Sequence, residues 1–158
     1  MSMDYLELQK HIPESNVLAT LVEAENDLDA VILLLFDEKT GYQAAGDLMG
    51  VPQESWGPEG IADDDLSSVL CELVNIVGAS IMNEISNKTG LTMTPTVPDF
   101  MRGDRQGVIQ WIDGKSSAGR GLKVLYITAD FFRKDLEFLG RLFMIPSSQP
   151  LARVVNKL

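Results

Sequence analysis

The hydrophobic pattern changes period several times along the chain, and each change marks an element. From Asp64 to Gly90 apolar residues recur at helical spacing: Leu66, Leu70, Leu73, Val74, Val77 and Ile81 form one broad stripe. On a wheel of about 100° per residue, Ser68, Glu72 and Asn75 fall near 0°, 40° and −20°, on the opposite side. Ala79, Asn83 and Ser86 continue that narrow face. Asp63, Asp64 and Asp65 supply N-cap candidates and negative charge at the positive end of the helix dipole. Lys88 and Gly90 are natural residues for the other end. The pattern therefore predicts a helix that buries one face and presents a carboxylate and a carboxamide, one turn apart, to something outside.

Upstream, residues 1–15 are weakly patterned, with a short helix predicted from Tyr5 to Gln9 and ended by Pro13. Val17 to Ala24 and Ala30 to Phe36 read as strands, and Glu25-Asn26-Asp27 between them as the turn of a hairpin. Asp37 opens a helix that Gly50 and Pro52 close, although Gly41 and Gly46 weaken it. Residues 51–63 read as an irregular loop that Trp56 packs onto the domain. Downstream, three strands are predicted, Leu91–Val97, Gly107–Ile112 and Leu122–Thr128, followed by a helix capped by Asp130 and running to about Phe143. Pro146 to Pro150 form a spacer before a short amphipathic tail, Leu151 to Leu158. Val31–Asp37 and Val124–Asp130 echo one another, each an apolar strand ending in an Asp before a helix. That echo suggests a pseudo-duplicated α/β layout. The expected architecture is α/β (α+β), a mainly antiparallel sheet with helices on both faces, in one domain spanning residues 1–158.

Composition narrows the chemistry. Thirteen Lys and Arg against 23 Asp and Glu give a formal charge of −10, which argues against phosphate-backbone and anionic-membrane partners. The single cysteine, Cys71, excludes an internal disulfide, and with His11 as the only histidine no His/Cys metal site can be assembled. A Ser-His-Asp mechanism would depend on His11 in a short polar segment, a poor place for it. The first ten residues are unlike a signal peptide, and the longest unbroken apolar run, Ala30 to Phe36, is too short to span a bilayer. A cytoplasmic protein is expected.

The full spacing of the polar face is Ser68-x3-Glu72-x2-Asn75-x22-Pro98. It resembles the signature of the CheC/CheX/FliY family of chemotaxis phosphatases: Asp or Ser, three residues, Glu, two residues, Asn, twenty-two residues, Pro. Glu72-Leu73-Val74-Asn75-Ile76-Val77-Gly78-Ala79 resembles the family's helix, and Thr89 to Pro98 the strand after it; the likeness runs from about Val31 to Ile112. The family's small pair after Asn usually reads Ala-Gly, here Gly78-Ala79. CheC-type members often carry a second Glu/Asn helix; residues 1–50 hold none, so the layout resembles CheX, whose relatives generally act as homodimers.

The resemblance implies a CheC-like three-layer fold and hydrolysis of the aspartyl phosphate of a CheY-type response regulator. It implies no cofactor of the protein's own, since the regulator brings Mg²⁺ and a lysine. By this resemblance Asn75 orients the attacking water and Glu72 docks the regulator's lysine. Ser68 and Ala79 keep the flanks small, and Asn83 contacts the partner at most peripherally. Pro98 is expected to be structural, terminating a strand. The competing reading is a catalytically silent module of the same fold that binds a regulator or another signalling protein; a flagellar-switch component is a more distant third.

Overall fold

A computed structural model describes residues 2–115, 124–133 and 136–147. Among the described residues, seven strands form one antiparallel sheet: β1 Ser2–Met3, β2 Val17–Asn26, β3 Ala30–Asp37, β4 Met93–Pro95, β5 Asp99–Gly103, β6 Val124–Arg133 and β7 Leu136–Pro146. Their spatial order is β1-β6-β7-β3-β2, with β4 and β5 both pairing with β2 along the far edge. The helices are α1 Tyr5–Leu8, α2 Glu38–Met49, α3 Asp63–Thr89 and α4 Arg105–Asp113.

The central strands show why the sheet carries helices on both faces. In β3, Ala30, Ile32, Leu34 and Phe36 join Leu18 and Val22 of β2 in a core completed by α2 and α3. The alternate residues Val31, Leu33 and Leu35 join Val17, Ala19 and Leu21 in a second core, closed by α1 and α4. A strand buried on both sides reads as a continuous apolar run, as Ala30–Phe36 does. Because side chains alternate with period two, a slip of one residue would exchange the two cores, so the β2–β3 register, from Val17 opposite Asp37 to Ala24 opposite Ala30, is tightly specified.

The caps agree with their sequence signals at α2 and at the end of α3. Asp37 accepts a hydrogen bond from the Thr40 N–H at 2.8 Å, and Gly50 closes α2 at φ 73°. Gly90 closes α3 at φ 72°. The N-cap of α3, however, is Ala62; Asp63, Asp64 and Asp65 occupy its first turn, where they still face the positive end of the dipole. Trp56 packs the 51–62 loop onto the core and donates to the Val51 carbonyl at 3.0 Å. By length and apolar composition α3 resembles a bilayer-crossing segment, but Leu66, Leu70, Val74, Met82 and Ile85 lie buried against the sheet.

Four expectations for the chain after α3 fail. Gly107–Ile112 is not a strand but lies in α4. Asp104 caps this helix by accepting from the Gly107 N–H at 2.8 Å, and Val108 and Ile112, four residues apart, are its buried face. The Leu91–Val97 strand is shorter, Met93–Pro95, and a second strand, Asp99–Gly103, follows it. Pro98 therefore precedes a strand and does not terminate one. Asp130 caps no helix: it lies inside β6 opposite Leu139, and β6 and β7 make a long hairpin. Of the two echoed units, Val31–Asp37 leads into a helix and Val124–Asp130 does not. Tail residues 148–158 lie outside the described residues.

Candidate functional site

The polar face of α3 survives folding. Ser68, Glu72 and Asn83 are exposed, while Asn75 and Ala79 are half-buried, and all five lie on one side of a helix whose other side is core. With a rise of about 1.5 Å per residue, Glu72 and Asn75 stand about 4.5 Å apart along the axis, close enough for one bound group to touch both. Asn83 is two turns beyond Asn75 and stands apart from the pair. Among the described residues, the side chains of Ser68, Glu72 and Asn75 make no hydrogen bond or ion pair. They present an acceptor-only carboxylate, a carboxamide that both donates and accepts, and a small hydroxyl, all open to a partner.

The support beneath them is rigid. Gly78, one turn from Asn75 towards the sheet, is buried: a Cβ there would come within 2.9 Å of Val22 Cγ1. Such close approach is possible only for glycine, and it fixes α3 against β2. The helix is also tied at its N-terminal end. At its start Arg102 of β5 bridges Asp63 at 3.1 Å, donates to the Tyr42 hydroxyl and covers the Tyr42 ring at 5.5 Å. Burial acts to lower the Arg102 pKa, but the Tyr42 hydroxyl and the Asp63 and Glu38 carboxylates outweigh it and hold the guanidinium above its ordinary value.

Cys71 sits on the edge of the strip, half-buried. Burial pushes its thiol pKa up, the Asp99 carboxylate adds to that, and a hydrogen bond with Ser67 opposes both. A thiol kept protonated is a poor nucleophile, so Cys71 acts as a small packed side chain. Asp99 itself is gripped from α4 and its end. Burial would raise its pKa, but hydrogen bonds from Lys115 Nζ at 3.0 Å, the Phe100 N–H at 2.9 Å and Trp111 Nε1 at 3.2 Å hold it below the usual carboxylate range.

Among the described residues no cluster of three His, Cys, Asp or Glu is arranged to hold a metal ion. An open hollow of about 640 Å³ lies at the start of α2, lined by Asn16, Glu38, Tyr42 and Trp56 among others; no residue of the α3 strip lines it. Sequence reasoning passed over two features beside the strip. Ile76 is 59% exposed and Val97 87% exposed, and both are apolar. Exposure of a single apolar residue has no local sequence signature, although Val97 between Thr96 and Pro98, in a stretch with prolines at 95 and 98, hinted at an irregular edge.

Comparison with known proteins follows the same outline. Residues 67–102, which contain Ser68, Glu72, Asn75 and Pro98, match the model of the CheC-like family. No curated protein matches the chain by sequence. Among solved structures, Thermotoga maritima FliY superposes with a TM-score of 0.70 at 15% identity, covering 99% of this chain and 76% of that one. A chain of the CheX–CheY–BeF3–Mg²⁺ complex from Borrelia burgdorferi matches with a TM-score of 0.60 at 15% identity, covering 91% and 96%. Chemotaxis protein CheX from Vibrio vulnificus gives 0.52 at 14% identity, covering 84% and 76%. The segment similar to the CheC-like family thus lies on the central helix and the strands after it, and the chain around it has the fold of FliY and CheX.

Proposed function

We propose that the protein dephosphorylates the aspartyl phosphate of a CheY-type response regulator, with the Glu72/Asn75 strip of α3 as the active face. The observation that carries this reading is the state of that strip: a carboxylate and a carboxamide, partnerless among the described residues, on a rigid core helix. One structural relative with this fold is a component of a complex of CheX with CheY, BeF3 and Mg²⁺.

The chemistry asks little of the protein. Water attacks phosphorus in line, the new P–O bond forms as the bond to the aspartyl oxygen breaks, and the regulator's carboxylate and inorganic phosphate leave. Such a transition state needs placement of the water and stabilisation of the transferring group, without a nucleophile from the protein. The Asn75 carboxamide oxygen accepts a hydrogen bond from the water and orients it, while its amide protons remain available to a phosphoryl oxygen. Glu72, one turn earlier, pairs with the regulator's active-site lysine and fixes the docking. Ser68 and Ala79 leave room for the helix to approach a recessed phosphate, and Asn83 is a peripheral contact. Mg²⁺ arrives with the regulator and serves its phosphate there, so the protein needs no cofactor of its own. A cytoplasmic setting and a homodimer belong to the same reading.

The test is the decay of phosphorylated receiver domains of the source organism in Mg²⁺, with wild type and with Asn75→Ala. Wild type is expected to accelerate decay, and Asn75→Ala to leave the receiver at its own rate while still binding it. Equal acceleration by both would remove Asn75 from the chemistry. A measurable complex with no acceleration would leave a binding module.

A further inference from the structure

β4 and β5 are two segments of one sheet edge. Pro95 stands opposite Ala24 and Asp99 opposite Leu21, so three residues, Thr96, Val97 and Pro98, cover the two residues Val22 and Glu23. The extra residue makes the chain bulge outward. The bulge is firmly held. The Thr96 N–H donates to the Glu23 carbonyl at 2.8 Å, and the Glu23 N–H donates to Thr96 Oγ1 at 3.1 Å. Pro95 and Pro98 fix φ on either side. Val97 stands on this bulge and, at 87%, is the most exposed large apolar side chain among the described residues.

Its position along α3 follows from two contacts: Arg102 reaches Asp63, and Val22, which the bulge covers, lies under Gly78. The influence of the Asp99 carboxylate on the Cys71 thiol agrees with them. β5 thus runs antiparallel to α3, and the bulge falls level with the turn that carries Asn75 to Gly78. Around the helix, starting from Cys71 on the β5 side, Asn75 comes at about 40°, Glu72 at about 100° and Ile76 at about 140°. The polar pair therefore lies between two exposed apolar side chains, Val97 on one side and Ile76, 59% exposed, on the other.

We propose that Val97 and Ile76 form an apolar bracket that seats the receiver domain over Glu72 and Asn75. The inference rests on the phosphatase reading above and names two contacts which that reading does not assign. Interfaces take most of their affinity from a few residues, and side chains held rigid before binding lose little entropy on association. Val97, between Pro98 and a Thr96 that makes two hydrogen bonds to the Glu23 backbone, and Ile76, on a core helix, are both held in this way. The bracket adjoins the partnerless polar pair on both sides, which ties its occupant to the molecule that engages that pair. A second copy of the chain is the competing occupant.

The probe is each CheY-type receiver domain of the source organism, loaded with beryllofluoride and Mg²⁺ and titrated against wild type, Val97→Ser and Ile76→Ser. Leu6→Ser is the control, because Leu6 is 74% exposed on α1, which packs against the other face of the sheet. Each bracket variant is expected to weaken the complex about five- to tenfold, and Leu6→Ser to leave it as it was. Receiver affinity within twofold of wild type for both bracket variants overturns the proposal. So does equal weakening by Leu6→Ser, or a change in self-association on sedimentation with receiver affinity intact. If wild type neither binds nor dephosphorylates any receiver, the phosphatase reading itself fails. If wild type does both and the variants match it, the bracket alone is wrong.

Discussion

Two neighbouring groups of polar residues behave in opposite ways. Along the β5–α4 edge the charges are tied down: Asp99 accepts from Lys115, Trp111 and the Phe100 backbone, and Arg102 engages Asp63 and the Tyr42 hydroxyl. On the strip of α3, at the same end of the sheet, the side chains of Ser68, Glu72 and Asn75 engage nothing among the described residues. A charge with several partners is part of the scaffold, and its loss should register in stability. A carboxylate and a carboxamide left open on a rigid helix contribute little to stability, and their loss should register in what the protein does to something else. The difference separates the framework from the proposed active face without reference to any relative.

Mutations can break that separation or sharpen it. The largest effect is expected at Asn75. Asn75→Ala should cost on the order of 100-fold in dephosphorylation rate through loss of the oriented water, with an unchanged Tm on thermal unfolding. A fall in Tm that accounted for the lost activity would move Asn75 into the scaffold. Next, Glu72→Ala should weaken receiver binding about tenfold and flatten the dependence of affinity on salt, because a screened charge contact has gone. Titrations at low and high ionic strength measure both.

On the other side of the comparison, Arg102→Ala should reduce unfolding free energy by about 1 kcal/mol, through the nearly buried Tyr42 hydroxyl losing its donor and the aromatic face its cation. Urea denaturation reads this; the Asp63 pair, with that carboxylate 79% exposed, adds little. The smallest effect is at Asp99. Its folded pKa lies below the ordinary Asp value of 3.8, so its contribution is complete above that value and is lost as pH falls through the folded pKa. Asp99→Asn should therefore be slightly less stable than wild type at pH 7 and converge with it towards pH 3. The gap stays small because the side chain is 51% exposed. Denaturation midpoints across that range would show it.

The legible parts of the chain were those governed by local signals that agree with one another. The stripe from Leu66 to Ile81, acidic residues at one end and Gly90 at the other all specify α3, and the Glu72/Asn75 face followed from the same periodicity. Ala30–Phe36 read as a strand because no polar side interrupts it. The misread parts are those where a long-range partner decides. Gly107-Val108-Ile109-Gln110-Trp111-Ile112 is rich in β-formers, yet Asp104 starts a helix and Val108 and Ile112 need only one buried face to dock under β2. Asp130 offered a helix cap, but pairing along the whole of β6 and β7 overrides that local preference. Ile76 and Val97 beside the site were invisible for a different cause: exposure belongs to the assembled surface and not to any window of sequence.

Gly78 gives the fold a further meaning. Seated on Val22 with no side chain between, it sets how high the middle of α3 rides above the sheet, and hence how far Asn75 reaches beyond the surface. In the proposed complex, the depth to which this helix enters the receiver's cleft is set from below, by a contact inside the core. Reach and recognition would therefore be set in different places, one in the core and the other on the rim.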